Sequence, residues 1–187
     1  MPSQLYAKSE YHQFPKADLK RRIWASAIDF VITWGLATLG GSIVAGVLIG
    51  QWIVFCLIWL GLRVILTHKN QGQSLGHWAL NMKVVHEQTG RIPRLEYLTK
   101  REAAVGFATS LLYIATTHPS FGMVLFVLIL PIAFDLWSAT ADPDFGQTLH
   151  DRLGQTVVIN TRRGFSLDLK VRRWLETLQS RRQPEDY

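Results

Sequence analysis

Lys20–Ile49 reads KRRIWASAIDFVITWGLATLGGSIVAGVLI, a basic start followed by an apolar run in which Asp29 is the one charged residue. From Ile23 to Ile49 the run is long enough to cross the roughly 30 Å hydrocarbon core of a bilayer with some tilt. A signal peptide also opens with basic residues ahead of an apolar stretch. This run exceeds the apolar length of about 7–15 residues usual there, and Asp29 interrupts its start, so a retained membrane span is expected. The Arg21–Arg22 pair lacks the surroundings of a twin-arginine signal.

Working outward, Gln51 and Trp52 mark the far interface, and residues 52–66 return across the membrane. Arg63 lies near the end of that second span, where a long side chain can snorkel toward headgroups. Third and fourth spans are read at 103–117 and 121–137, joined tightly through His118-Pro119-Ser120, with Pro131 kinking or breaking the last helix. The expected fold is an all-α membrane protein, a four-helix transmembrane bundle of two helical hairpins. Its parts are an N-terminal segment (1–19), a membrane domain (20–160) with a loop at 67–102, and a basic tail (161–187).

The distribution of charge orients these spans. Of the 20 lysines and arginines, all but Arg63 lie outside the apolar stretches, and the connectors near Gly50–Gln51 and Thr116–Ser120 carry none. By the positive-inside rule both termini and the central loop face the cytoplasm, giving a multi-pass protein of the plasma (inner) membrane. The mean hydropathy of +0.11 averages apolar blocks with basic loops. A pI near 9.7 admits nucleic acid as a partner, but no recognition motif is present and the cations flank apolar spans. Anionic lipid headgroups are the natural counterpart. Cys56, the single cysteine, lies within an apolar stretch, so no disulfide and no cysteine-based metal site is expected.

Met82–His86 and Thr156–Asn160 have strand character and could pair into a small cytoplasmic sheet, with a turn at Thr89-Gly90. After Gly164, Val171, Trp174, Leu175 and Leu178 fall on one face of a basic amphipathic helix suited to a membrane surface or a partner protein. Gly35, Gly40, Gly41, Ala45 and Gly46 give the first helix a small-residue stripe. Packing against the second or fourth helix is the expected use, with homo-oligomerisation as the alternative.

Asp29 is the sharpest candidate, a carboxylate about 9 Å along the helix from Ile23. At that depth it must be paired, protonated or facing water. Arg63 on the neighbouring antiparallel helix can pair with it, and Asp135 near the end of the fourth helix competes for the same arginine. Either the pair locks helices together, or Asp29 belongs to a proton or cation relay. Asp142-Pro-Asp144 and His150-Asp151 read as turn and capping residues rather than a metal or catalytic site. His68, His77 and His86, nine residues apart, fit no ligand spacing, and no nucleophile elbow, phosphate loop or zinc-protease helix is present. Neither catalysis nor a cofactor is expected.

Three separated motifs resemble the RDD family of bacterial membrane proteins. Arg22-Ile-Trp-Ala-Ser-Ala-Ile-Asp29 is similar to the family's opening signature. Gly72-Gln-Ser-Leu-Gly76 with Met82-Lys-Val-Val85 resembles its glycine-rich loop and strand, and His150-Asp-Arg-Leu-Gly-Gln-Thr-Val-Val158 its closing segment. The resemblance implies signature roles for Arg22, Asp29 and Asp151, with Asp135 a further match, in a small integral membrane domain. His77 stands where the family usually carries lysine. Some members of the family look like cation–proton antiporters. The resemblance thus leaves two functions open: a small transporter, perforce oligomeric because four short helices leave little room for a pathway, or a scaffold binding a cytoplasmic partner or anionic lipid.

Overall fold

The computed structural model describes residues 15–44, 47–118, 130, 133–135, 137–140 and 146–161. Most of the fourth span, the Asp142–Asp144 turn, the small-residue pair Ala45 and Gly46, and the tail helix lie outside these residues.

Helix α1 spans Leu19–Gly41 and tightens into a 3-10 turn at Ser42–Val44. Helix α2 runs Leu48–Lys69, α-helical over Leu48–Leu60, π-helical over Gly61–Leu66, and α-helical again over Thr67–Lys69. A short helix, α3 (Leu75–Ala79), leads into β1 (Met82–His86), and α4 (Leu95–Thr117) follows. Helix α5 (Leu149–Leu153) and β2 (Thr156–Asn160) complete the described elements.

The two strands pair antiparallel, Met82 opposite Asn160 and His86 opposite Thr156, so the strand-like runs of the sequence do form a sheet. Chain entering α1 adds to β2's other side: Lys16 bridges Ile159, and the Ala17 N–H donates to Val158. Ala25, Val64, Leu80, Met82, Val84, Leu98 and Val158 bury together where this sheet closes one end of α1, α2 and α4. Ala37, Phe55, Trp59 and Tyr113 form a second core between the helices, with the Phe55 and Tyr113 rings stacked at 4.8 Å.

The stripe of small residues serves this packing. A methyl group on Gly40 would stand 3.1 Å from Val54, and one on Gly41 would stand 3.2 Å from the Tyr113 hydroxyl. Both glycines therefore admit neighbours within the chain, and those found among the described residues belong to α2 and α4. Elsewhere α1 and α2 turn apolar side chains outward. Val31, Leu39, Ile43 and Leu57 are exposed, and only 22% of the most apolar window of each helix is buried. A core helix of a soluble protein buries such residues; these two suit lipid as solvent.

Three boundaries differ from the sequence reading. The first helix ends by Val44 and Val47 is extended, so Gln51 and Trp52 already lie inside α2. Gly40-Gly41-Ser42, weak helix formers, loosen the end of α1 earlier than hydropathy alone suggests. Helix α4 begins at Leu95, eight residues before the apolar run at Ala103, because polar helix formers continue it beyond the apolar part. The 67–102 connection thus holds the end of α2, α3, the expected strand β1 and the start of α4.

Candidate functional site

Asp29 is the eleventh residue of α1, and its carboxylate is buried with every oxygen in use. One oxygen takes the Arg63 guanidinium and the Ser74 hydroxyl, the latter at 2.6 Å. The other accepts the backbone N–H of Gly76 at 2.7 Å. Arg63 comes from the π-helical turn of α2, a distortion that recurs at functional sites. The wider turn leaves a carbonyl spare, and the Thr67 hydroxyl bonds back to Leu62 at 3.3 Å. Arg63 also grips Glu102 of α4 through Nε at 2.9 Å and Nη2 at 3.1 Å, the bidentate fork that arginine is built for.

From Glu102 the chain of charges continues. Arg101 donates to Glu102 at 2.8 Å and to Asp151 of α5 at 2.8 Å, and Arg22 of α1 closes on the far oxygen of Asp151. The order is Arg22, Asp151, Arg101, Glu102, Arg63, Asp29: alternating signs, equal numbers, all buried. Burial by itself would raise the Asp151 carboxyl, but Arg22 and Arg101 hold it well below the usual carboxylate range. Thr148 and Asp151 also form a reciprocal capping box at the start of α5. The capping role expected for Asp151 is therefore present, alongside a larger electrostatic one.

Glycines make the Asp29 end of this chain. At Gly76 a side chain would collide with the Ala25 backbone, so only glycine lets α3 press its first turn onto α1 and present its N–H to the carboxylate. Gly72 has φ +84°, and a side chain there would strike the Val84 carbonyl. Ser74 caps α3 and accepts from the His77 N–H at 3.2 Å. Its hydroxyl directs its single proton to Asp29, so the 2.6 Å approach of His77 Nδ1 requires the imidazole proton on Nδ1. Burial, then the nearby Arg63, Arg101 and Arg22, hold His77 well below its ordinary value and keep it neutral.

Asp135 takes a different place from the one anticipated. It accepts from His150, from Nδ1 at 2.6 Å and from the backbone N–H at 3.0 Å, and does not compete for Arg63. Arg63 is already saturated by Asp29 and Glu102, while His150 stands at the start of α5 within reach. The structure thus joins Asp29 with Arg63 and Arg22 with Asp151, and links the two pairs through Arg101 and Glu102. Reading the sequence missed both linkers, assigning Arg101 to the loop and leaving Glu102 out. The signal was available: Arg101-Glu102 stands at the foot of the apolar run at Ala103, as Asp29 stands near the foot of the first span. Among the described residues no group of His, Cys, Asp or Glu is arranged to hold a metal ion.

Long apolar helices turned outward, closed at one end by a small sheet and a buried chain of charge, define a helical membrane protein. Residues 16–155 match the model of the RDD family, and the chain belongs to that family. No curated protein and no solved structure matches it.

Proposed function

We propose that this RDD-family protein is a non-enzymatic scaffold of the inner membrane: multi-pass, a four-helix bundle with both termini and the sheet layer on the cytoplasmic side. The carrying observation is the saturation of Asp29, whose oxygens are taken by Arg63, Ser74 and Gly76. A cation-exchanging carboxylate must shed its partners every cycle, and here that means parting a buried ion pair. A fixed joint fastening α1, α2 and α4 to the sheet layer needs no such step. Among the described residues, the lysines and arginines cluster toward the sheet end and none stands at the far ends of α1, α2 and α4, which supports the orientation. On this reading the layer presents surfaces to anionic lipid or to a cytoplasmic protein.

The transport reading has one observation of its own. Asp29, Ser74 and His77 form a continuous hydrogen-bonded line of two titratable groups and a hydroxyl, the makings of a proton relay. One experiment separates the two: proton-coupled cation flux in proteoliposomes, wild type against Asp29→Asn, with thermal stability measured on the same preparations. The scaffold reading expects no flux in either protein and a less stable variant. Flux in the wild type that disappears in an equally stable variant would establish transport instead.

A further inference from the structure

Helix α3 lies along the first turns of α1, running in the opposite direction. The Ser74 hydroxyl donates to Asp29 at 2.6 Å, Gly76 presses on the Ala25 backbone, and the Arg21 guanidinium donates to the Leu80 carbonyl at 2.7 Å. Trp78 sits between Gly76 and Leu80 in the chain. Its height on α1 therefore falls between Ala25 and Arg21, which is the height of Trp24. Both rings are turned out of the protein, Trp24 at 67% exposure and Trp78 at 56%.

The surroundings of that height are graded. Ile23 beside Trp24 is exposed, and exposed Val31 stands seven residues, about 10 Å, further along the axis. There the outward side of α1 is that of a helix long and apolar enough to cross a membrane. One turn the other way stands Lys20, also exposed. Tryptophan between an apolar side and a lysine that can snorkel is the arrangement of a membrane–water boundary.

The indole N–H groups give a second and independent sign. Trp34, Trp52 and Trp59 donate theirs within the protein, to Thr116, Ser110 and the Glu102 carbonyl. Among the described residues, the N–H groups of Trp24 and Trp78 meet no acceptor. An outward ring with an unused donor suits a layer that supplies apolar contact and oxygen acceptors together.

We infer that α3 is seated in the headgroup layer of the bilayer, with Trp78 inserted beside Trp24 and its N–H donating to lipid ester or phosphate oxygens. The connection between α2 and β1 is then an in-plane membrane contact, not a segment standing in water. The inference rests on the scaffold reading and names one surface by which the sheet layer meets lipid.

The test places the full chain, labelled with fluorotryptophan, in phosphatidylcholine nanodiscs and follows it by fluorine NMR. Trp24→Phe and Trp78→Phe assign the two signals. Two paramagnetic probes are compared: phosphatidylcholine carrying a nitroxide high on its acyl chain, and a water-soluble gadolinium chelate. Trp78 should lose intensity to the lipid nitroxide as strongly as Trp24 does, and should lose less to the chelate.

A Trp78 signal weakened more by the chelate than by the lipid nitroxide would put α3 in water and overturn the inference. So would a signal weakened by neither, which would mean that a second copy or another protein covers the ring. Trp24 separates this failure from a wider one. If the lipid nitroxide weakens Trp24 alone, α1 still spans and the scaffold reading stands. If it weakens neither tryptophan, the membrane placement of α1 falls too, and the scaffold reading with it.

Discussion

The two ends of the helical layer hold the same three helices together by opposite means. At the sheet end, α1, α2 and α4 meet through a buried chain of ion pairs in which each inner member compensates two neighbours. At the other end they meet through stacked rings and separate neutral bonds. Trp52 donates to Ser110 at 2.9 Å, Gln51 meets His118 at 2.9 Å, and Trp34 donates to Thr116 at 3.2 Å. Neutral contacts of this kind fail one at a time. A chain of buried charge fails as a unit, because removing one member strands its neighbours in a medium that solvates them poorly. Its value is therefore less in net energy than in specificity: apolar packing tolerates sliding, whereas this register satisfies every charge.

The sharpest way to break this contrast is Arg63→Met. The variant keeps most of the side-chain volume but leaves Asp29 and Glu102 buried without their shared cation, and should lose about 3–5 kcal/mol of stability. Thermal unfolding of matched detergent preparations reads the loss; a change below about 1 kcal/mol would mean that the chain relaxes piecemeal and is no unit. Gly76→Ala comes next. The new methyl would strike the Ala25 backbone, so α3 must lift and withdraw its N–H from Asp29. About 1–3 kcal/mol is expected, as for other overpacked sites. Trp52→Phe tests the opposite end. It keeps an aromatic ring and removes one bond to Ser110, for a loss of about 1 kcal/mol. If Trp52→Phe proved as damaging as Arg63→Met, the distinction between the two ends would collapse.

What the sequence made legible follows the same division. The long apolar runs, the paired strands and the Asp29–Arg63 contact were all readable, because hydropathy period, β-branched runs and antiparallel depth are local or nearly local signals. Where α1 ends was not, since Gly40, Gly41 and Ser42 weaken the helix without interrupting the hydropathy. The missing half of the charge chain was hidden differently. Arg101 and Glu102 look like ordinary polar residues before a span, and only the folding of α5 back onto α4 buries them. Asp135 shows the converse: its depth suggested Arg63, yet partner choice depended on Arg63 being saturated from α4. Such priorities are set by tertiary packing, which a single sequence does not display.

The smallest effect at neutral pH, and the finest test of how tightly the charged end is closed, concerns His77. It is held neutral by burial first, then by Arg63, Arg101 and Arg22, with Asp151 the opposing charge and Ser74 its hydrogen-bonding neighbour. Its folded value lies well below the ordinary 6.5, so below about pH 6.5 the unfolded chain binds a proton that the folded chain refuses. Stability from this residue is thus complete above that pH and declines as the solution is acidified. Asp151, also depressed, contributes stability above its ordinary 3.8 and loses it only in stronger acid, so the two residues act in separate windows. His77→Gln should therefore match the wild type's unfolding midpoint at pH 7.5 to within a small constant offset, and lose less than the wild type between pH 6.5 and 5. Parallel curves over that range would show that water or rearrangement accommodates an imidazolium beside three arginines. The sheet end would then be a looser joint than its saturated geometry implies, and more like the neutral end it has been set against.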